Sequence, residues 1–178
     1  MRFAAPLVCS FALIAAGPAT AQTCPTRSDL DRGGVRLTRS SPFMTVLLTN
    51  AGETHVEERR TKRGGATQRV RSTYLHPLAV AQRQDNKSVL TFKYGRNTRS
   101  LQRLDRDKVW TSPVTLLQGT KVIDKGTVTS RFRGKGTLKV GGCSYAVWSV
   151  LEEVKLGKIP TSAGEKIYAP ELGVVLNY

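Results

Sequence analysis

The sequence predicts an all-β protein, built as an antiparallel barrel, half-barrel or sandwich of about ten to twelve short strands. Short segments rich in β-branched and aromatic residues recur along the chain, and Gly, Pro, Asn and Asp separate them at intervals of roughly 8–15 residues. Several segments alternate polar with apolar side chains, as strands with one buried face do. No long segment has the 3.6-residue periodicity of an amphipathic helix, so strands are the main elements that we expect.

Residues 1–21 have the features of a secretory signal peptide. A basic start precedes an apolar stretch over 3–16, and the small residues at 19–21 form a small-x-small cleavage site. The apolar stretch is shorter than the ~20 residues needed to cross a bilayer, and no later segment reaches that length. We therefore predict cleavage after residue 21, a single β domain over 22–178 without a transmembrane segment, and a periplasmic or secreted location.

The first half of the mature chain is predicted to form six strands joined by tight turns. A polar lead-in over 25–32 includes one helical turn at 28–31. Gly52 lies in the loop after the second strand and supplies the positive φ that a hairpin turn requires. Leu90 and Phe92 share one face of the sixth strand, which alternates regularly and indicates an antiparallel sheet with one buried side. The six predicted strands cover 35–39, 43–49, 54–62, 67–75, 78–84 and 87–94.

From residue 95 onward, glycine, proline and charged residues divide the predicted strands into shorter pieces. Residues 98–104 are assigned to a polar strand or loop. Residues 105–108 are assigned to a charged hairpin tip, because their acidic spacing lacks the Gly and Glu of a Ca²⁺ loop. The Gly-Lys-Gly run at 134–136 is assigned to a turn. The predicted strands cover 109–110, 114–117, 120–124, 127–133, 137–140, 143–151 and 165–178, with a loop over 157–164.

The most apolar run after the N-terminus is 143–151, and we predict a central strand there that emerges into solvent at 152–153. Cys143 in this strand and Cys24 remain after cleavage, since Cys9 leaves with the signal peptide. An even pair in an exported protein predicts a Cys24–Cys143 disulfide. The alternative, a catalytic thiol at Cys143, lacks a surrounding Cys–His signature. We expect the core or the lining of a cavity to include Phe92, Tyr145, Val147, Trp148, Leu172 and Val174.

The C-terminal run 168–176 reads Tyr-Ala-Pro-Glu-Leu-Gly-Val-Val-Leu. It resembles the closing strand of small uncharacterised exported bacterial β-proteins, which often end in an aromatic-x-Pro-Glu-Leu-Gly segment followed by an apolar strand. The resemblance covers about ten of the 178 residues and implies an envelope β-fold. No catalytic residue, cofactor or substrate comes with it.

Basic residues dominate the charge of the chain. There are 28 Lys and Arg against 13 Asp and Glu, for a formal net charge of +15. A solvated mixed surface is one interpretation, and attraction to an anionic lipid, lipopolysaccharide or acidic polymer is the other. Nucleic acid is the least favoured partner, because an exported protein rarely meets it and no known binding motif is present. The candidate anionic-ligand surface comprises Arg59, Arg60, Lys62, Arg63, Arg69, Arg71, Arg131, Arg133 and Lys135.

The sequence contains no constellation typical of an enzyme. There is no Gly-x-Ser-x-Gly turn, and we expect His55 on a surface hairpin and His76 before a proline, apart from each other. Two isolated histidines and two disulfide-bonded sulfurs are too few ligands for zinc. Glu152 and Glu153 are adjacent, so they point to opposite faces of a strand and not into one cleft. We therefore predict no catalytic residue, no metal and no cofactor.

Two classes of function fit these observations. In the first, the protein is a non-enzymatic binding module of the bacterial envelope, whose curved sheet presents an apolar concavity to an amphiphile while its basic charge favours an anionic head group or polymer. In the second, it is an accessory factor that binds or helps to assemble another envelope protein. The first class requires that the sheet encloses a cavity and does not fill its interior completely with side chains.

Overall fold

Eleven antiparallel strands form one curled half-barrel sheet in the computed structural model, which describes residues 23–63 and 65–176. Each strand pairs with the next one along the chain, so the sheet is a continuous meander. The predicted all-β class is confirmed, and of the three predicted architectures the structure has the half-barrel. The strands are β1 (Val35–Arg39), β2 (Met44–Ala51), β3 (Thr54–Arg63), β4 (Ala66–His76), β5 (Ala79–Gln84), β6 (Val89–Tyr94), β7 (Val109–Gln118), β8 (Lys121–Val140), β9 (Cys143–Leu156), β10 (Ser162–Ala169) and β11 (Val174–Val175).

A short helix, α1 (Arg27–Arg32), precedes the sheet where the sequence predicts one helical turn. The Asp29 carboxylate closes its first turn by accepting hydrogen bonds from the Thr26 backbone N–H at 2.7 Å and the Thr26 hydroxyl at 2.8 Å. Leu30 is buried against the core. The helix is therefore anchored at its start by a cap and along its inner face by one leucine.

The segment between β6 and β7 is helical, which corrects the prediction of a polar strand or loop followed by a charged hairpin tip. It consists of a 3₁₀ helix (Thr98–Arg103) and α2 (Leu104–Asp107). The Asn97 side chain caps the first helix by accepting from the Arg99 backbone N–H at 2.9 Å. Leu101 and Leu104, three residues apart, are completely buried. The cap and this spacing were the helical signal in the sequence.

Strands β7, β8 and β9 are longer than predicted, because residues expected to break them are accommodated within the sheet. The strand predicted over 165–178 is instead divided into β10 and β11 by a turn at 170–173. The Gly-Lys-Gly run at 134–136 lies inside β8, next to a register shift between Phe132 and Gly134, and not in a turn. Pro113 lies inside β7. The Pro113 carbonyl accepts from the N–H of Gly95, the residue after β6, so the proline nitrogen faces the same side. Because β6 has already ended there, the missing N–H of Pro113 interrupts no hydrogen bond between the two strands.

The core consists of two clusters of buried side chains. The first cluster joins α1, β1 and β2 to β9 and the C-terminal strands, and contains Leu30, Val35, Met44, Val46, Leu48, Val147, Ala169, Leu172, Val174 and Leu176. The second cluster contains Leu78, Ala79, Leu101, Leu104, Trp110, Val114, Val128, Trp148, Val150 and Tyr168. Because the first cluster connects strands from opposite ends of the strand order, it holds the sheet in its curled form.

Cys24 and Cys143 form a disulfide, as predicted, with their sulfurs 2.06 Å and their Cα atoms 5.6 Å apart. The bond ties the segment before α1 to the first residue of β9. The predicted signal peptide, including Cys9, lies outside the described residues. Within the described ranges no helix is long and apolar enough to cross a membrane.

Candidate functional site

A cavity of about 150 Å³ lies between the two ends of the curled sheet. Leu48 and Glu57 contribute to its wall from β2 and β3, and Lys166 and Val174 contribute from β10 and β11. Much of the lining is apolar, and a few charged side chains reach it. We call it the inner cavity. Its walls are formed by Leu30, Leu48, Thr49, His55, Val56, Glu57, Arg59, Tyr74, Pro77, Glu165, Lys166, Gly173, Val174 and Val175.

A second cavity of about 480 Å³ adjoins the first, because His55, Pro77 and Gly173 line both. Hydrogen-bond donors dominate its wall, and we call it the polar cavity. The two cavities together are the cleft. The walls of the polar cavity are formed by Arg27, Glu53, His55, Leu75, His76, Pro77, Arg99, Gln102, Trp148, Tyr168, Pro170 and Gly173.

Glu57 is the most deeply buried carboxylate of the inner cavity, with 4% of its surface exposed. The Tyr74 hydroxyl donates to one carboxylate oxygen at 2.9 Å, and an Arg59 guanidinium nitrogen lies 2.9 Å from the other. Burial, and then the charge of Glu57, raise the pKa of Tyr74, so its hydroxyl remains a donor. A buried carboxylate that contacts two donors, one of which is a cation, is a satisfied, neutralised group.

Glu152 and Lys166 form a second internal ion pair, with the ammonium nitrogen 2.6 Å from the carboxylate. The Lys166 ammonium also donates to the Leu78 carbonyl at 3.4 Å. This placement corrects the prediction that β9 leaves the core at residues 152–153, since the strand continues to Leu156 and Glu152 is only partly exposed. Glu153 pairs with Lys155 instead, at 2.7 Å.

His55 is positioned by a chain of hydrogen bonds that begins on α1. The Asn50 amide nitrogen donates to the Asp31 carboxylate at 2.8 Å, which turns the amide oxygen toward His55 Nδ1 at 2.5 Å. Since an amide oxygen only accepts, Nδ1 of His55 carries a proton. Burial, and then the charge of Arg27, lower the pKa of His55, while Asp31 opposes the shift.

His76 is buried, with 4% of its surface exposed, and it lines the polar cavity together with His55, which corrects the expectation of two isolated histidines. Its Nδ1 accepts from the Leu78 backbone N–H at 3.2 Å, and its ring lies 5.5 Å from the Tyr168 ring. Burial, followed by nearby positive charge, lowers the pKa of His76 to about 3. The neutral ring therefore carries its proton on Nε2, and this N–H has no hydrogen-bond partner among the described residues.

The basic residues predicted as an anionic-ligand surface fall into two exposed groups and one inner position. Arg60, Lys62, Arg69 and Arg71 are exposed on β3 and β4, where Arg60 and Arg69 are cross-strand partners. Arg59 lines the inner cavity and also a surface pocket that it shares with Arg60, Arg69 and Arg71. The Arg63 side chain lies outside what the structure describes. The second group is four strands away on β8 and comprises Arg131, Arg133 and Lys135, which pairs with Asp105 at 3.0 Å.

The residues predicted as core or cavity lining are all at least partly buried. Val147, Leu172 and Val174 belong to the first core cluster, and Val174 also lines the inner cavity. Trp148 belongs to the second cluster and lines the polar cavity. The remaining two, Phe92 and Tyr145, pack against the clusters from their edges.

In the part of the chain that the structure describes, no three His, Cys, Asp or Glu side chains are grouped closely enough to hold a metal ion. No protein-family model, curated protein or solved structure matches this chain. The cleft is therefore the basis for assigning a function.

Proposed function

We propose that this protein is a non-enzymatic binding module of the bacterial envelope, exported to the periplasm or secreted, which holds a small anionic amphiphile in its cleft. The observation that carries the proposal is the apolar-lined inner cavity joined to the donor-rich polar cavity. Ligand sites are typically concave and largely apolar, with a few convergent polar groups that orient the ligand. A molecule with one apolar and one charged part matches this arrangement.

The volume of the inner cavity limits the apolar part of the ligand. A cavity of about 150 Å³ has room for roughly one benzene-sized group. The rest of the interior is filled by the two core clusters. A complete acyl chain does not fit inside, so the proposal favours a short alkyl or aromatic group, or the end of a larger amphiphile.

The charges of the cleft favour the binding of an anion. Glu57 is neutralised by Arg59, and Glu152 is neutralised by Lys166. Carboxylates that are already paired with protein cations leave the donors of the polar cavity to contact an anionic ligand. The net charge of +15 attracts anions toward the protein over distances of about a Debye length.

Filling the inner cavity tests the proposal. Native mass spectrometry of protein purified from its own cells without detergent is expected to show a bound small molecule that Leu48→Phe abolishes. Leu48 is buried and lines the cavity, so the larger ring occupies the space of the ligand. Leu47→Phe is the matched control, because the neighbouring side chain points to the other face of β2.

Calorimetric titration with hexanoate provides a second readout for the same pair of variants. We expect binding to the wild type and to Leu47→Phe, and at least tenfold weaker binding to Leu48→Phe. A wild-type chain that carries no small molecule and binds hexanoate no better than Leu48→Phe would contradict the proposal. Co-purification of one protein partner, with an empty cleft, would instead favour the role of an accessory factor.

A further inference from the structure

We propose that the polar cavity is a carboxylate-binding site, in which the Nε2–H group of His76 and the guanidinium of Arg27 hold the two oxygens of the ligand. The inference rests on the proposed function for the apolar part of the ligand and names its head group. The ligand class is then small monocarboxylic acids with a short alkyl or aromatic tail.

His76 has a buried hydrogen-bond donor that no group of the described residues accepts from. The Leu78 backbone N–H occupies Nδ1, so the proton of the neutral ring is on Nε2. That atom is buried and has no acceptor among the described residues, although buried polar groups are nearly always paired. Because the ring lines the polar cavity, an acceptor atom of a ligand in that cavity would satisfy it.

Most of the cations around the polar cavity are paired with carboxylates of the protein. Arg99 contacts both carboxylate oxygens of Glu53, each at 3.1 Å, so these two residues neutralise each other. Lys166, which lies near His76, is neutralised by Glu152. Arg27 lines the same cavity and forms no ion pair with any carboxylate of the described residues. Arg27, which is exposed at the edge of the cavity, is therefore the cation of this wall that a bound monoanion can pair with.

The donors of the polar cavity favour one class of anion. Apart from Arg27, and from Arg99 which Glu53 neutralises, the side chains on the wall that can donate are neutral, among them Tyr168 and Trp148. Burial raises the pKa of Tyr168 to about 12, so its hydroxyl keeps its proton at neutral pH. A phosphate dianion is usually held by several cations or a helix N-terminus. One free cation with neutral donors suits a carboxylate better.

The polar cavity lies directly beside the apolar inner cavity. Its wall shares His55, Pro77 and Gly173 with the inner cavity. A carboxylate bound at His76 and Arg27 can therefore extend its tail past His55 toward the apolar side chains of Leu48 and Val174. The same molecule would occupy both cavities.

NMR of the two histidine side chains tests the site directly. Long-range ¹H–¹⁵N spectra at pH 7.5 contain two imidazole patterns, and we expect them to show opposite tautomers, with protonated Nδ1 in His55 and protonated Nε2 in His76. On addition of acetate or hexanoate at constant ionic strength, the His76 Nε2–H signal should move downfield and saturate. Chloride and hexanol should leave it unmoved, and the Trp110 indole N–H, which donates to the Asn97 carbonyl and lines neither cavity, serves as the internal reference.

A pair of charge variants measures the contribution of Arg27. Arg27→Gln is expected to weaken hexanoate binding about tenfold or more, since it removes a charge-assisted hydrogen bond. Arg83→Gln removes the same charge from an exposed position on β5 that lines neither cavity and should change the affinity less than about twofold. His76→Phe should reduce the preference for hexanoate over hexanol, with the remainder due to Arg27.

The outcomes separate this site from the proposed function. If hexanol and hexanoate bind equally while His76 is unmoved, the carboxylate site is overturned and the amphiphile cleft stands. If acetate shifts His76 but lengthening the tail to hexanoate adds no affinity, the carboxylate site stands and the amphiphile function fails. Tighter binding of phosphate than of carboxylates overturns the ligand class. No saturable shift with any anion, as expected if only water meets His76, overturns the site.

Discussion

At the scale of single residues, the two histidines differ because different partners fix them. Nδ1 is protonated in His55 because Asp31 orients Asn50, whereas in His76 the same atom accepts from a backbone N–H two residues away. His76 is buried partly by Tyr168, which is 92 positions later in the chain. A local sequence pattern contains no information about such a neighbour. The sequence therefore shows two histidines and a proline, but neither their burial nor their tautomers.

We expect His76 to make the protein sensitive to acid. Its pKa is about 3 in the folded protein, below its ordinary value of 6.5. Between these values the unfolded chain binds a proton that the native state excludes, so stability is present above pH 6.5 and is lost as the pH falls. The free energy of unfolding, measured with urea, should be on the order of 1–2 kcal/mol lower at pH 5 than at pH 6.5 from this residue alone.

Two variants separate this effect from other groups. His76→Phe should have a smaller slope of stability against pH over 5–6.5, a range in which most carboxylates remain ionised. His55→Gln should also reduce the slope, because the lowered pKa of His55 contributes with the same sign. The larger part of the slope, which is due to His76, should remain. Equal slopes for the wild type and His76→Phe would show that His76 takes up its proton at an ordinary pH.

At the scale of elements, the accuracy of the sequence predictions changes near residue 95. The strands from β1 to β6 are confirmed within a few residues, because their turns contain Gly, Pro or Asn and their alternation is regular. In the second half, β8 contains glycines that were assigned to turns. Pairing with β7 on one side and β9 on the other stabilises the extended backbone there, so tertiary context overrides the local preference.

Gly126 should be essential for the packing of β8 against β9. A Cβ atom added there would lie 1.8 Å from the Lys155 carbonyl oxygen, closer than any allowed contact, so the backbones must separate. We expect Gly126→Ala to lower the free energy of unfolding by at least about 2 kcal/mol, judged from the usual effect of overpacking. Chemical denaturation with a fitted midpoint and slope measures it.

Gly136→Ala in the same strand is the control, because the nearest neighbour of its added Cβ is a Val147 methyl group 4.0 Å away. Its stability should remain within about 0.5 kcal/mol of the wild type. Equal stability of Gly126→Ala and Gly136→Ala would mean that β8 and β9 are not as close at residue 126 as the structure places them.

At the scale of the whole molecule, the curl of the sheet decides which polar residues face the cleft. The centre of β3 reads Glu57-Glu58-Arg59-Arg60, so both faces of this strand carry one acid and one base. Alternation alone cannot tell which face is inside. Only the contact of β1 and β2 with the C-terminal strands turns Glu57 and Arg59 inward. The cleft was therefore predictable as a concavity with Trp148 and Val174 as candidates for its lining, but the position of Glu57 and Arg59 inside it was not.

The disulfide should stabilise the curled form without forming part of the cleft. Cys24 and Cys143 are 119 positions apart, and the cross-link beside the first core cluster reduces the conformational entropy of the unfolded chain. We expect Cys24→Ala/Cys143→Ala to lower the free energy of unfolding by about 2–5 kcal/mol, as the loop length predicts. Because neither cysteine lines either cavity, hexanoate affinity at low temperature should be retained.

Single variants provide the matched control for this effect. Cys24→Ala and Cys143→Ala each break the same bond, so each should lose nearly as much stability as the double variant, and their effects should be far from additive. Thermal and urea unfolding of the three variants beside the oxidised wild type measures this. A double variant as stable as the wild type would show that the first core cluster alone closes the sheet, since that cluster joins the same ends of the strand order.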